Sequence, residues 1–352
     1  MKNIAVVFGG KSPEHQISVR SARNIIAAID RTQFNVISIG IDRKGKWRLT
    51  DIDATEKYVS EEGTQLGFAI GNEQPIIELE NKHPLNIDLL FLILHGPNGE
   101  DGTVQGLARL LNLPFIGPDV LGSSAVMDKD VTKRLLRQAG LNVAQDQVVY
   151  KHEKDQLNYE ELIAELGSPI FIKPANAGSS IGVHKVRNAE EFQKGLDDAF
   201  QYDEKLLIES AVYGREIECA VMGNRQPIVA SSAAEIVAAE EYSFEEKYSS
   251  ASQTKVVVPA PVEAEVLEQL RSTALTAYQV TDCEVLTRVD MFLTEKGEII
   301  VNELNTIPGF TNISVYPKLW MHDGMSQGEL ITRLIGYAFE RHESQQALLM
   351  EF

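Results

Sequence analysis

The sequence predicts an α/β protein whose first third is a doubly wound parallel sheet and whose remainder is built from strand pairs around a ligand crevice. Three observations carry this expectation. Apolar strand runs alternate with helical periodicity from residue 4 onward. A glycine–serine loop separates two strand signals between residues 169 and 186. Near the C-terminal end, two strands joined by a short turn carry oxygen donors on one face.

Taken in order, Ile4 to Phe8 is a buried strand signal ended by Gly9 and Gly10. Gln16 to Ile29 has helical spacing at Ile17, Ala22, Ile25, Ile26 and Ile29. Phe34 to Ile41 and Ile87 to Leu94 are further strands, and the polar stretch from Trp47 to His83 fits no element. Strands alternating with helices place ligands beyond the carboxyl ends of a parallel sheet. Asp128 to Gly140 is a helix with a glycine stop. Pro169 to Lys173, Ile181 to Val186, Leu206 to Glu209 and Glu216 to Met222 are strands. Ala239 to Val256 is charged and weakly periodic, a loop over a site. Glu263 to Val280 and Ser326 to Arg341 are helical, and no internal repeat is visible.

The hairpin carries the chemistry. Pairing Thr287–Leu293 and Glu298–Thr306 symmetrically about Thr294–Gly297 sets Asp290 opposite Val301. Side chains alternate faces, so Arg288, Asp290, Glu303 and Asn305 share one face. Val289, Met291, Ile300 and Leu304 take the other, which suits a core, and a one-residue slip would split the first set. Two carboxylates and an amide are hard oxygen donors of the kind Mg²⁺ takes together with nucleotide phosphates. An arginine beside them can hold a developing oxyanion. The competing reading is a solvated hairpin with surface charges. The tight loop Pro308–Thr311 directly beyond weighs against it, because such loops often bind substrates.

Composition sets the bounds. The 352 residues suggest two or three domains, with a hydrophobic content of 43% that is ordinary for a globular chain. No run is long and apolar enough to cross a bilayer. The opening run ends in glycines and charges rather than a cleavage site, so it reads as a strand and not a signal peptide. With 33 basic against 51 acidic residues, the net charge of −18 disfavours nucleic acid as a partner. A small anion can still be held where a few cations converge. Cys219 and Cys283 lie in apolar patterns and read as buried small hydrophobes of a reducing compartment. No Cys/His spacing suggests zinc, and the sequon Asn312–Ser314 is set aside without a secretion signal.

Two loops compete for phosphate. In Lys173–Gly182, glycines let backbone N–H groups approach phosphates, Ser179 and Ser180 add hydroxyls and Lys173 adds charge. An ordinary hairpin loop is the alternative. Ala5–Ser12 imitates a Walker loop with alanine in place of the first glycine, and is judged a decoy. Glu14, at the carboxyl edge of the sheet, either holds an amino group or is a helix N-terminal charge. His95 touches a substrate carboxylate, pairs with Glu100, or is a plain loop histidine.

The chain resembles the D-alanine–D-alanine ligases. The resemblance rests on Gly9–Ser18, His95–Gly102, Met127–Lys129, Lys173 with Gly178–Ser180, Lys247–Tyr248, and Arg288–Asp290 followed by Asn302–Thr311 and Ser314–Trp320. The matches run in order over nearly the whole chain. This resemblance implies a Rossmann-like N-terminal domain (1–127) followed by a two-lobed ATP-grasp fold, the central lobe at 128–212 and the C-terminal lobe at 213–352. It implies that ATP and two D-alanines become D-alanyl-D-alanine, ADP and phosphate, for peptidoglycan precursors, in a cytoplasmic homodimer. Lys129, Lys173, Ser180 and Lys247 would bind ATP. Glu209 would meet the adenine amino group, the backbone near Ser210 and Val212 would read the purine, and Glu216 would take the ribose. Asp290, Glu303 and Asn305 would bind two Mg²⁺, or Mn²⁺ in its place. Glu14, linked to Ser179 and Tyr248, would take the ammonium of the first D-alanine. Arg288 and the Gly309 backbone would hold the oxyanion, and Ser314 the second carboxylate. His95 and Val315 would line the substrate.

The lid departs from the family pattern, with Tyr242-Ser243-Phe244 where Tyr-Asp-Tyr is usual. Tyr248 favours an amine over a hydroxy acid as second substrate, and Val315 suits a methyl group. One pocket contact discriminates by only about 1–3 kcal/mol, so D-serine stays open. The rivals are another ATP-grasp carboxylate–amine ligase, a catalytically silent nucleotide-binding module, and a nicotinamide-dependent dehydrogenase. The last needs a G-x-G-x-x-G fingerprint that Gly9-Gly10-Lys11-Ser12 does not supply.

Overall fold

The computed structural model describes residues 1–53, 55, 57–237 and 254–348. The first unit is built from β1 (Lys2–Gly9), α1 (His15–Ala28), β2 (Phe34–Ile41), β3 (Trp47–Leu49), β4 (Leu66–Phe68), β5 (Ile76–Glu78), β6 (Leu89–Ile93), α2 (Thr103–Leu110) and β7 (Phe115–Ile116). Its main sheet has the order β3-β2-β1-β6-β7. β1, β2, β6 and β7 pair in parallel, as the alternation of strands and helices predicts, but β3 joins β2 antiparallel at the edge. The unplaced stretch from Trp47 to His83 supplies that edge strand and the separate β4–β5 pair. Three-residue strands are too short for a two-residue period to show in sequence.

Next come α3 (Val120–Met127), α4 (Lys129–Gln138), β8 (Asp146–Tyr150), α5 (Tyr159–Leu166), β9 (Ile170–Pro174), β10 (His184–Val186), α6 (Ala189–Ala199) and β11 (Lys205–Ser210). The strands form an antiparallel sheet ordered β10-β9-β11-β8. Asp128 starts α4 by accepting the N–H groups of Asp130 and Val131, both at 3.1 Å, which satisfies two donors of the first turn. The strand expected from Ile181 begins only at His184, because the loop before it runs through left-handed backbone.

The third unit holds β12 (Arg215–Gly223), β13 (Ile228–Val237), β14 (Lys255–Val257), α7 (Ala264–Val280), β15 (Val285–Leu293), β16 (Ile299–Asn305), α8 (Val315–His322) and α9 (Gln327–Gln346). Its sheet is ordered β14-β13-β12-β15-β16. Lys255 and Val256, expected in a loop, pair with β13 as an edge strand. The rest of that expected loop, from Ala239 through residue 253, lies outside the described residues.

The hairpin differs in register from the symmetric pairing. Leu293 pairs with Ile299 and Met291 with Val301, a one-residue slip that alone would put Glu303 and Asn305 on the core face. A β-bulge at Asn302 cancels it: Asp290 pairs with Glu303 and Arg288 with Asn305. The oxygen donors do share a face, while Val301 and not Ile300 fills the core beside Met291.

One hydrophobic cluster runs from β1 and β6 to Ile307, Phe310, Tyr316 and Leu334, so the start and the end of the chain share a core. Arg341, 5% exposed, locks this junction by donating to the carbonyls of Gly117 at 2.6 Å and Phe115 at 2.7 Å. Its guanidinium also lies 4.4 Å from the Phe115 ring centroid. Arg341→Met leaves two buried carbonyls unpaired and is expected to cost about 2–4 kcal/mol. Urea unfolding followed by tryptophan fluorescence measures this.

Candidate active site

The strand ends and loops of all three units meet at a cavity of about 770 Å³. Of the residues named from sequence, Glu14, His95, Lys129, Ser179, Arg288, Glu303, Asn305, Gly309, Ser314 and Val315 line it. Lys173, Ser180, Glu209, Ser210, Val212, Glu216 and Asp290 do not. They lie behind it, on β9, β11, β12, β15 and their connecting loops. Lys247 and Tyr248 lie outside the described residues.

Glu14 sits at the N-cap of α1 but does not cap it; its carboxylate accepts the Ser179 hydroxyl across the cavity. The side chain thus turns to the cavity and not to the helix end. A side chain at Gly96 would crowd it, since a Cβ there would lie 3.0 Å from Glu14 Oε2, while one at Gly178 would lie in ordinary contact at 3.6 Å. Ser179 and Ser180 both adopt left-handed backbone, with φ of 54° and 58°. Two successive non-glycine residues in that region store strain of the kind concentrated at ligand-binding loops.

In the Walker-like segment the N–H groups of both glycines are taken up within the protein. Gly9 N–H donates to Ser18 Oγ at 2.8 Å and Gly10 N–H to the Ile41 carbonyl at 2.8 Å. Gly9 is a glycine for packing: a Cβ would lie 2.3 Å from the Ile41 carbonyl oxygen.

His95 and Glu100 meet through the backbone of Ile307. The His95 ring bonds its carbonyl, while Glu100 accepts the Ile307 N–H and, at 2.5 Å, the Gly96 N–H. Burial, and then the charge of Glu14, push Glu100 up to about 8. Burial holds His95 below its usual value, as the neutral imidazole, with Nε2 buried and unpartnered.

The loop 308–311 is tied to α1. Phe310 N–H donates to Ser21 Oγ at 3.0 Å, and Asn24 Nδ2 donates to the Phe310 carbonyl at 2.9 Å. Ser314 Oγ accepts the Thr311 N–H at 2.9 Å. A Cβ on Gly309 would lie 2.8 Å from Ser314 Oγ, so only glycine brings this backbone to the cavity without displacing Ser314.

Behind the cavity lies a buried charge cluster. Glu209 receives Lys133 Nζ at 2.6 Å on Oε1 and Lys173 Nζ at 2.7 Å on Oε2. Lys133, only 2% exposed, also meets Asp146 at 3.2 Å. Sequence reasoning misses Lys133. Its one signal is its place four residues after Lys129, on the same face of α4. Lys129 donates to the Ala177 carbonyl at 2.6 Å and feels the charges of Glu303, Lys173 and Glu209, so it joins this cluster to the hairpin. Burial disfavours the charge on Glu209, but Lys173 and Lys133 outweigh it and hold the carboxyl at about 2.

On the hairpin, Arg288 forks onto Asp290, Nε to Oδ1 and Nη2 to Oδ2, both at 2.7 Å. The donor set fits a hard cation: Glu303 and Asn305 line the cavity, and Asn305 Oδ1 is buried without a partner. Among the described residues no cluster of three or more His, Cys, Asp or Glu is arranged for a metal. Phosphate oxygens and the amide would have to complete the shell.

Lysines gathered toward a donor hairpin, beneath a loop of strained serines, are the arrangement of an ATP-grasp ligase. Residues 3–118 match the family model described as D-ala D-ala ligase N-terminus, and residues 135–336 its C-terminus. D-alanine–D-alanine ligase A of Escherichia coli is 44% identical over 355 residues, covering 98% of both chains. A solved D-alanine–D-alanine ligase from Coxiella burnetii superposes with a TM-score of 0.87 at 34% identity, over 98% of this chain and 96% of that one. The Bacillus anthracis D-alanine–D-alanine ligase complexed with ATP gives 0.76 at 27% identity, over 98% and 100%. The chain belongs to the D-alanine–D-alanine ligase family.

The depressed Glu209 carboxyl sets a pH signature. A group held below its ordinary value of 4.5 adds stability that is complete above that value and drains as pH falls toward about 2. Glu209→Gln leaves two lysines facing an uncharged amide, and is expected to lose about 3–5 kcal/mol near neutral pH. The gap to the wild type should close as both proteins are unfolded by urea at successively lower pH.

Proposed function

We infer that the protein joins two D-alanines into D-alanyl-D-alanine at the expense of ATP, through an acyl phosphate, in the making of cell-wall precursors. The observation that carries this reading is the cavity itself. It sets a carboxylate held by Ser179, a cationic arginine, and the Gly309–Ser314 loop around one space beside the lysine cluster.

A carboxylate is a poor acyl donor and must first be phosphorylated, a transfer that depends mainly on positioning and charge neutralisation. Lys129 and Lys173 hold the phosphates. Glu209 keeps Lys173 and Lys133 charged and still has lone pairs for the adenine amino group. The backbone from Ser210 to Val212 faces the purine, Glu216 the ribose, and Ser180 and Lys247 add phosphate contacts. Asp290, Glu303 and Asn305 hold two Mg²⁺, or Mn²⁺, which when bound offset phosphate charge. Glu14 fixes the ammonium of the first D-alanine, with Ser179 and Tyr248 orienting it. Arg288 and the Gly309 N–H stabilise the oxyanion, and Ser314 holds the second carboxylate beside His95 and Val315. Residues between 239 and 256 would exclude water, so that the acyl phosphate meets an amine first.

The division into 1–127, 128–212 and 213–352 follows the three main sheets. Family likeness is the ground for a cytoplasmic homodimer. Among the described residues no helix is long and apolar enough to cross a membrane.

Phosphate release from ATP should require D-alanine and stay at background with L-alanine; equal release with both enantiomers would end this reading. Asp290→Asn should lower kcat by roughly a thousandfold or more, where a mere nucleotide binder would only bind more weakly. Ser179→Ala should act chiefly on the first amino acid, raising its KM by about tenfold through the freed Glu14 carboxylate. Initial rates over a wide range of D-alanine concentration, fitted with one KM for each of the two sites, isolate that effect.

A further inference from the structure

Three carboxylates lie in one row across adjacent strands: Glu218 on β12 pairs with Asp290 on β15, which pairs with Glu303 on β16. Two of them are almost wholly removed from solvent, Glu218 at 4% and Asp290 at 2% exposure. Neighbouring buried carboxylates are costly without a cation between them. Arg288 is that cation. Its fork occupies both oxygens of Asp290, and its Nε also lies 3.0 Å from Glu218 Oε2. The fork therefore takes the very oxygens that a divalent cation on Asp290 would need, and the two cations repel.

We propose that Arg288 is the exchangeable counter-ion of the metal-binding hairpin, and that Glu218 is the positioning residue that receives it when a divalent cation takes Asp290. Nε already lies beside Glu218, so the exchange needs a swing that turns the Nε–H from Asp290 to Glu218 and withdraws Nη2 from Asp290. The move has a second consequence. A guanidinium with its fork closed on Asp290 has fewer N–H groups for a developing oxyanion, and the exchange releases them toward the cavity that Arg288 lines. Metal loading and the readiness of the oxyanion arginine become one event. Among the described residues Glu218, Asp290 and Glu303 form no three-carboxylate metal cluster, so the role assigned to Glu218 is to receive the arginine.

The proposal rests on the metal role given to Asp290 above, and the test separates the two. ADP binding to the full-length protein is measured by calorimetry with and without Mn²⁺, and the ratio of affinities is the metal-dependent gain. If Asp290→Asn leaves this gain unchanged, the metal reading itself fails. If Asp290→Asn reduces it, a double-mutant cycle decides the proposal. Glu218→Gln should cut the gain by roughly tenfold in the wild-type background and leave it unchanged in the Arg288→Ala background. An equal drop in both backgrounds means that Glu218 acts on the metal directly, and overturns the proposal. A crystal structure of the wild type with ADP and Mn²⁺ tests the exchange without any variant. Arg288 should contact Glu218 and have lost the Nη2 bond to Asp290; a fork still closed on Asp290 refutes the exchange.

Discussion

One inserted residue governs the chemistry of this molecule. Asn302 is the extra residue in β16, and it changes the parity of the strand between its two halves. Toward the turn, Met291 and Val301 face the core together; beyond the bulge, Asp290 and Glu303 share the opposite face of the sheet. Neither half can be moved without loss. An unbroken ladder in the register set by the turn would bury Glu303 and Asn305 among Val289 and Met291. The opposite register would expose Val301. The bulge lets apolar burial fix the fold and oxygen donors fix the site on the same two strands.

Charge burial follows the same logic. The chain carries a net charge of −18, yet its cationic side chains converge beside the cavity. Three of them are held by carboxylates placed on strands: Lys173 and Lys133 by Glu209, Arg288 by Asp290 and Glu218. Lone buried cations would lose their protons or draw in water. Paired ones stay charged and ordered, so an arriving polyanion meets a field already aimed at it. Replacing such pairs with apolar residues would often cost nothing in stability. Their persistence beside the cavity is better explained by what they do for a ligand.

The hairpin is legible in the sequence because its apolar residues alternate strongly enough to fix a face, and β1, β2 and β6 because continuous apolar runs end at glycines. The bulge is not. A symmetric turn gives the correct face for Glu303 by an incorrect register, and nothing in Thr294–Gly297 reveals the slip. Lys133 escapes for another reason. It lies among Lys129, Arg134 and Arg137 on α4, and only tertiary packing makes one of these charges buried while Arg134 stays exposed. The helices α2, α3 and α5 are two turns each, too short for a helical period to stand out, and α3 is apolar with small residues on most faces. Glu218 is inconspicuous because it alternates with Glu216 as any strand charge would.

The shared core explains why the site can be precise although its parts come from distant stretches of chain. Glu14 and Ser21 belong to α1, while Gly309 and Ser314 lie almost three hundred residues later. They meet because Phe310 and Tyr316 pack into the cluster built on β1 and β6, with the Phe310 ring edge-on to Phe91 at 6.1 Å between centroids. Hydrophobic burial brings the segments together without regard to direction. The bonds from Ser21 and Asn24 to Phe310 then fix the loop's position along α1. The cavity wall that carries Gly309 and Ser314 is thus anchored to the core shared by the two ends of the chain. The glycine–serine loop opposite, with its two serines in left-handed backbone, is tied to Glu14 by the bond from Ser179. That bond joins a strained loop to segments whose positions the shared core and the bulge already set.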